Sequence, residues 1–384
     1  MPDWKIPLSD LAFDQQEFSA VNQVLESGWL TMGAQTQAFE AEFADYHQVS
    51  HALAVSNCTA ALHIACMAID LGPGDEVIVP SLSFVATANA VRYTGATPVF
   101  AEITSLHDLT IDPESIKAKI TEKTKAIIVM HYAGRPCKMD TIQQLAKEHN
   151  LYLIEDAAHA VGTTDSGHFL GTWGDIGCFS FFSNKNLVTG EGGMVATNNP
   201  DFAERAGRLR SHGMTTLTWD RHKGHAWSYD VVDLGYNYRI DEIRSAIGRV
   251  QLNKLAANNQ ARREVVRYYH ELIAASLPEV TVPFGEVTEE TNPHILPIIL
   301  PEAVDRKNVM DHLKACGIQT SIHYPPIHQF EDYRKHYQNA SLPRTEEAAR
   351  RELTLPLYPE LARSSIEYVV GSLSEAIQNP STRN

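Results

Sequence analysis

Short apolar runs alternate with longer segments of helical periodicity between about residues 50 and 200. Several of the runs are apolar at every position rather than at every second one. This pattern is typical of strands buried on both faces of a largely parallel sheet. The runs that we predict as strands are His51–Val55, Glu76–Val79, Pro98–Ala101, Ala126–His131, Leu151–Ile154, Cys178–Phe182 and Met194–Thr197.

The segments between the runs have the three- and four-residue spacing of helices. In the segment Asp140–Asn150, Asp140 is a candidate N-cap, and Ile142, Leu145 and Ala146 share one face. Strands that alternate with helices in this way predict an α/β layered domain with a mostly parallel sheet.

The C-terminal third of the chain has a different pattern, and prolines interrupt it at positions 278, 283, 293 and 297. We predict a second, smaller α+β domain here. The large domain is expected over residues 14–250 and the small one over 251–384, with residues 1–13 packed against the small domain. The predicted elements are a long helix from Ile240 to Ser276, a strand at Ile295–Leu300, a helix at Glu302–Cys316, a strand at Thr320–His323 and a C-terminal helix around Ile366–Ile377.

Charge and cysteine content narrow the class of protein. The 384 residues carry a formal net charge of −15, which disfavours general binding to nucleic acid or to anionic membranes. The five cysteines form no C-x-x-C pair, so neither a disulfide framework nor a zinc site is indicated, and we expect no metal. There is no apolar leader and no run of about 18 apolar residues, so we expect a cytoplasmic protein without a membrane segment.

Three segments carry candidate chemistry. Residues 56–60, Ser-Asn-Cys-Thr-Ala, lie between a predicted strand and a predicted helix, where free backbone N–H groups can bind phosphate. Alternatively, Thr59 only caps the helix. Asp156 follows a buried strand, at the edge where open α/β sheets bind ligands, although it could be a helix cap instead. Lys185 follows the next strand; most lysines are solvated surface charges, but a lysine amine can also form a Schiff base.

The combination is more informative than its parts. Pyridoxal 5'-phosphate (PLP) requires a binding site for its phosphate, an acidic partner for its ring nitrogen and a lysine for its aldehyde. A helix start, a strand-end aspartate and a loop lysine supply all three, so the sequence indicates a PLP enzyme.

The chain resembles the DegT/DnrJ/StrS family of PLP-dependent sugar aminotransferases over nearly its whole length. That family has the aspartate-aminotransferase fold (fold type I). The resemblance implies a large PLP-binding domain, built on a mixed, mostly parallel seven-stranded sheet flanked by helices, and a smaller C-terminal α+β domain. The motifs that carry the resemblance lie at residues 28–33, 72–78, 84–89, 155–159, 179–185, 190–193, 235–239, 323–328 and 355–359.

The resemblance also implies residue roles. Lys185 forms the Schiff base and moves the proton, and Asp156 pairs with the pyridinium nitrogen. Asn237 reaches the cofactor phosphate of a second copy, so the active sites of a homodimer are shared. The other cofactor contacts implied are Thr59, Ala60, Phe84, His159 and Ser180, and the substrate contacts implied are Glu191, Arg239, His323, Tyr324 and His328.

Two positions depart from the family pattern. Cys58 stands where Gly or Ala is more frequent, and its thiol is expected to fit but to be open to oxidation. Phe182 replaces a histidine found in some members that aminate the fourth sugar carbon.

The implied reaction transfers an amino group from L-glutamate to a nucleotide-linked keto sugar, with residues 189–193 favouring a 4-keto-6-deoxy hexose. One alternative is a cyclitol ketone of the aminoglycoside type as the acceptor. A second alternative, from another class, is a non-catalytic PLP-binding regulatory protein.

Overall fold

The computed structural model describes residues 4–215, 228–337 and 340–378. The helices in these ranges are α1 (Gln15–Ser27), α2 (Ala34–His47), α3 (Cys58–Ala68), α4 (Ala86–Tyr93), α5 (Pro113–Lys117), α6 (Met139–Glu148), α7 (Pro200–Leu209), α8 (Glu242–Ser276), α9 (Arg306–Ala315), α10 (Glu331–His336), α11 (Pro343–Arg351) and α12 (Arg363–Gln378). None of the helices in the described ranges is both long enough and apolar enough to cross a membrane.

The main sheet contains seven strands. In chain order they are β1 (His51–Val55), β2 (Glu76–Pro80), β3 (Thr97–Ala101), β6 (Thr124–Met130), β7 (Tyr152–Asp156), β10 (Ile176–Ser180) and β11 (Gly193–Thr197). Within the described part of the chain, three two-stranded sheets pair β4 (Ile103–Ser105) with β5 (Asp108–Ile111), β8 (Thr164–Asp165) with β9 (His168–Phe169), and β12 (Leu296–Ile299) with β13 (Glu352–Leu355).

The order of strands in the main sheet is β1-β11-β10-β7-β6-β2-β3. Strand β11 runs antiparallel to both of its neighbours, and every other pairing is parallel. The predicted mixed, mostly parallel α/β sheet is therefore confirmed. All seven predicted runs are strands of this sheet, and their ends shift by no more than two residues.

Three local predictions were wrong. The segment Thr320–His323 forms only one bridge, between Ser321 and Thr354, because the next free backbone N–H, that of His323, donates to a carboxylate instead. Helix α9 begins at Arg306, since Asp305 caps it through the Lys307 N–H at 2.8 Å. Asp140 lies in the first turn of α6 and does not cap the helix.

Buried side chains pack on both faces of the main sheet and form a second core in the C-terminal part. Helix α8 links them, because Leu252 and Leu255 pack against the sheet while Val265 and Tyr269 belong to the second core. Near the N-terminus, the Ile6 N–H donates to Gly317 O at 3.1 Å, beside the second core. The predicted boundary at residue 250 lies inside α8, and the domain limits stay a prediction.

The topology brings three strand ends to one edge of the sheet. Strands β7 and β10 are parallel neighbours, and β1 runs in the same direction because both β1 and β10 are antiparallel to β11. Their carboxyl ends lead to Asp156, to Ser180 and, through a short turn, to the start of α3. Ligands of open α/β sheets bind at this edge.

Candidate active site

A cavity of about 930 Å³ opens at the carboxyl edge of the sheet. Ten of the predicted site residues lie in its wall: Thr59, Ala60, Phe84, Asp156, His159, Ser180, Lys185, Glu191, His323 and Tyr324. Among the described residues that line it, Lys185 is the only lysine or arginine. An anionic ligand in this cavity must therefore be bound largely by N–H groups and hydroxyls.

The start of α3 is arranged as an anion site. Its cap is Asn57, whose side-chain oxygen accepts the Ala60 N–H at 2.9 Å. The alternative that Thr59 is the cap is therefore wrong, and the Thr59 hydroxyl and N–H stay available at the positive end of the helix. A Cβ at Gly193 would lie 2.8 Å from the Cys58 nitrogen, so only glycine lets β11 pass this closely behind the turn.

Asp156 is a buried carboxyl group at the end of β7, and 4% of its surface is exposed. One carboxyl oxygen accepts the Thr87 hydroxyl at 2.7 Å, and the other accepts the Ala158 N–H at 3.2 Å. Burial raises the pKa of Asp156, while the Thr87 hydroxyl opposes that rise. A protonated ring nitrogen placed beside this group would supply the missing positive partner.

Lys185 extends from the loop after β10 into the same cavity. Its Nζ lies 3.2 Å from Nε2 of His294. Burial lowers the pKa of Lys185 to about 8, and the negative charge of Asp156 partly offsets this effect. A sizeable fraction of the amine is therefore neutral near pH 7 to 8, as a nucleophile or a base requires.

His159 and Tyr324 form a hydrogen-bonded pair in the cavity wall. His159 Nδ1 accepts the Ala133 N–H at 3.3 Å, so in the neutral ring the proton is on Nε2, which lies 3.0 Å from the Tyr324 hydroxyl. Burial holds the pKa of His159 well below its ordinary value. The Phe84 ring, which is 56% exposed, lies 6.0 Å from the Tyr324 ring between centroids.

A second buried carboxyl group lies behind His323. Glu352 accepts the His323 N–H at 2.8 Å and the Thr354 hydroxyl at 2.5 Å, and the Thr354 oxygen lies 2.8 Å from His323 Nδ1. Burial raises the pKa of Glu352 to about 8 and lowers that of His323 to about 4. The His323 ring is therefore neutral.

Three predicted site residues do not line the cavity. Asn237 is exposed on the surface, and Arg239 donates to the Ser211 hydroxyl at 3.1 Å. His328 is buried between the Ser81 hydroxyl at 2.7 Å and Glu346 at 3.1 Å. Their contacts with cofactor or substrate stay predictions.

Both family departures, at positions 58 and 182, lie in the cavity wall. Burial raises the pKa of the Cys58 thiol well above its ordinary value, which disfavours the reactive thiolate. Phe182 is 45% exposed and presents an apolar ring where a histidine would present nitrogen.

Sequence reasoning missed three residues that support the site. Thr87 lies inside one of the motifs that carry the family resemblance. Its hydrogen-bond acceptor Asp156 is 69 positions away, so the sequence does not show that the two residues meet. Glu155, next to Asp156, accepts the Gly171, Trp173 and Gly174 N–H groups. His294 lies in the proline-rich segment, and no local signal marks it as a partner of Lys185.

The residues present fit PLP. The α3 start offers unpaired N–H groups and the Thr59 hydroxyl to a phosphate, Asp156 offers a buried carboxyl group to a ring nitrogen, and Lys185 offers a partly neutral amine to an aldehyde. All three line one cavity, which is what a single cofactor requires.

Comparison with known proteins gives the family. Residues 12–374 match the model of the DegT/DnrJ/EryC1/StrS aminotransferase family. The chain is 37% identical over 380 residues to the spore coat polysaccharide biosynthesis protein SpsC of Bacillus subtilis, covering 97% of each chain.

Two solved structures are similar throughout. Helicobacter pylori PseC, an aminotransferase involved in the biosynthesis of pseudoaminic acid, superposes with a TM-score of 0.91 at 30% identity, covering 97% of this chain and 99% of that one. DesI, solved in the presence of its TDP-sugar product, superposes with a TM-score of 0.86 at 32% identity, covering 98% of this chain and 93% of that one.

The family that the motifs resemble is thus confirmed, together with its fold. The alternative of a non-catalytic regulatory protein is wrong, since the family and the similar structures are aminotransferases. The chain belongs to the DegT/DnrJ/EryC1/StrS family and is a PLP-dependent aminotransferase.

Proposed function

We propose that this enzyme transfers an amino group from L-glutamate to a nucleotide-linked keto sugar, a 4-keto-6-deoxy hexose, in the synthesis of an amino sugar or polysaccharide. The observation that carries the proposal is the meeting of Lys185, Asp156 and the α3 start in one cavity. The spore coat polysaccharide relative supports a sugar acceptor, and DesI, which was solved in the presence of its TDP-sugar product, supports one linked to a nucleotide.

Lys185 is the proposed acid and base of the reaction. Because burial lowers the pKa of its amine to about 8, the group can both take and return a proton near neutral pH. When bound, PLP supplies an electron sink for the carbon attached to the transferred nitrogen. Lys185 would remove the proton from that carbon in the donor and return one to the acceptor.

Asp156 is the proposed partner of the ring nitrogen. Its two hydrogen-bond donors, Thr87 and Ala158, fix the carboxyl group in one orientation at the end of β7. A carboxylate held in this way favours a proton on the ring nitrogen of the cofactor. The resulting ion pair offsets the cost of burying the negative charge of Asp156.

Donor and acceptor are proposed to use the same cavity in turn, which is a ping-pong scheme. The cavity wall beyond the cofactor contacts offers the Glu191 carboxylate, the His323 imidazole and the Tyr324 hydroxyl. These groups can form hydrogen bonds with sugar hydroxyls. Arg239 and His328 are proposed as more distant substrate contacts.

We further propose a homodimer in which Asn237 serves the cofactor phosphate of the second copy. Asn237 is exposed and lies outside the cavity of its own chain, and the nearby Val231, Val232 and Leu234 are exposed apolar side chains.

Sedimentation of the protein should give twice the subunit mass, and Asn237→Asp should weaken PLP binding because the new carboxylate would repel the cofactor phosphate. A monomer with full activity would contradict this arrangement.

A panel of acceptors tests the proposed substrate. The PLP-loaded enzyme with L-glutamate should aminate 4-keto-6-deoxy hexoses linked to UDP, dTDP or GDP, as followed by chromatography and mass of the products. Amination of a cyclitol ketone alone would instead favour the aminoglycoside type of acceptor. If no keto sugar is aminated although glutamate is consumed, the acceptor class proposed here is wrong.

A further inference from the structure

His294 lies against the Lys185 amine, although it comes from the segment that leads into β12. We propose that His294 is a positioning residue for Lys185, whose free amine donates a hydrogen bond to His294 Nε2 at 3.2 Å. This inference rests on the proposed role of Lys185. It assigns to His294 the task of holding the amine in place whenever it is not bonded to the cofactor.

Hydrogen bonds behind the ring fix its tautomer. Asn186 donates through Nδ2 to the Asn259 oxygen at 2.9 Å, and Asn259 donates in turn to Val161 O at 3.3 Å. The side-chain oxygen of Asn186 therefore faces His294 Nδ1, at 3.2 Å. Since that oxygen can only accept, the ring proton is on Nδ1 and a lone pair is left on Nε2.

The groups around His294 keep its ring neutral. The side chain is 3% exposed and faces Lys185, His159, Arg262 and His323, all of which are cationic when protonated. An imidazolium in this place would be repelled by each protonated neighbour and would lose its hydration. Lys185 thus meets a neutral acceptor here and not a competing cation.

The backbone of His294 is also held in position. Its N–H donates to Ala133 O at 3.1 Å, and its own carbonyl accepts Arg262 Nη1 at 3.4 Å. Its ring lies against that of His159, with centroids 4.3 Å apart. The imidazole therefore provides a fixed point to which the flexible lysine side chain returns.

A fixed acceptor has two consequences for the free amine. A lysine side chain has many rotamers, so one bond to a rigid partner restricts where the amine lies. Because one N–H points to His294, the lone pair of the neutral amine is directed elsewhere. The bond also favours the charged amine, which moderates the effect of burial on its pKa.

The test measures the pKa of Lys185 on the full chain freed of cofactor. Trace acylation with acetic anhydride at a series of pH values, followed by peptide mass analysis, gives the midpoint of Lys185 reactivity, expected at about 8 in the natural protein. The His294→Leu variant removes the acceptor and fills its space. Its midpoint should be lower by about one unit, since a hydrogen bond from a charged group is worth ~1.5 kcal/mol or more.

The matched control is His294→Gln, whose side chain can still present an acceptor at the place of Nε2. Its midpoint should stay close to that of the natural protein. In the loaded enzyme, His294→Leu should lower kcat of the glutamate half-reaction by roughly tenfold with little change in KM, and His294→Gln should recover most of it. If His294→Leu does not fold, His294→Asn replaces it, because this shorter side chain can still reach Asn186 but not Lys185.

An unchanged or raised midpoint in the variant without the acceptor would overturn the inference. Failure of the proposed function looks different: borohydride reduction of the loaded natural protein would then leave no pyridoxyl group on Lys185. A shifted midpoint with preserved kcat would also count against positioning, since the contact would then affect only the charge of the amine.

Discussion

Glu155 offers the clearest test of how the fold supports the site, because its buried carboxylate accepts four hydrogen bonds. One oxygen accepts the Trp173 and Gly174 N–H groups, each at 2.7 Å. The other accepts the Gly171 N–H at 2.7 Å and lies 2.9 Å from His131 Nε2. The side chain is fully buried, so water cannot replace a lost partner.

The perturbation is Glu155→Gln, which preserves shape but turns one acceptor oxygen into a donor. The retained oxygen can still serve Trp173 and Gly174. The new NH₂ group then faces two donors, Gly171 N–H and His131 Nε2–H. The ring cannot simply move its proton, because His131 Nδ1 already accepts the Cys137 N–H at 3.3 Å.

The expected cost follows from these two orphaned donors. Each buried donor without a partner costs about 1–3 kcal/mol, so the variant should lose roughly 2–6 kcal/mol of unfolding free energy. Typical domains have about 5–15 kcal/mol in total, so the loss should be large. Adjacent residues on a strand point to opposite faces, so the cavity side of Asp156 is not altered directly.

Urea unfolding, followed by circular dichroism, measures this loss as a lower midpoint with an unchanged slope. The matched control is Glu148→Gln, at the exposed end of α6, where one amide contact to Gln144 is involved and stability should barely change. If the unfolding free energy of Glu155→Gln is within about 1 kcal/mol of that of the natural protein, Glu155 does not stabilise the fold through these four hydrogen bonds.

Three further outcomes are expected. Asp156→Asn, which can still accept the Thr87 hydroxyl, should slow the glutamate half-reaction by at least ~10²-fold, and an unaffected rate in stopped-flow spectra would count against the role of its charge. Because the pKa of Lys185 is lowered to about 8, the rate at which PLP associates with the cofactor-free protein should rise as the pH approaches 8 and level off above it. A rate that keeps rising towards pH 10 would indicate an ordinary solvated lysine. Gly193→Ala should weaken PLP binding as measured by titration, because its Cβ would lie 2.7 Å from the Asn57 carbonyl carbon. The control Gly371→Ala, in α12 and with open space around its Cβ, should bind PLP normally.

Local sequence determines much of the sheet. Runs such as Ala126–His131 are apolar at every position but the last, and a strand covered on both faces needs such a pattern, so their existence could be predicted well. Because parallel strands place their carboxyl ends at one edge, Asp156 and Lys185 could also be assigned to the same site before the structure was known.

Contacts across the chain could not be predicted in this way. The partners His294 and Lys185 are separated by 109 positions, and only the packing of the proline-rich segment against the cavity brings them together. The α3 cap shows a different difficulty: Asn57 and Thr59 are both good capping residues, and the sequence alone cannot choose between them. The choice matters, because it leaves the Thr59 hydroxyl available to a phosphate.

The proposed function rests on Lys185, through which the protein would take nitrogen from L-glutamate. The most direct measurement is the amount of 2-oxoglutarate released when the PLP-loaded protein meets glutamate without any acceptor. The account predicts one 2-oxoglutarate per subunit from the natural protein and almost none from Lys185→Ala. Equal release from both proteins, or none from the natural one, would contradict it.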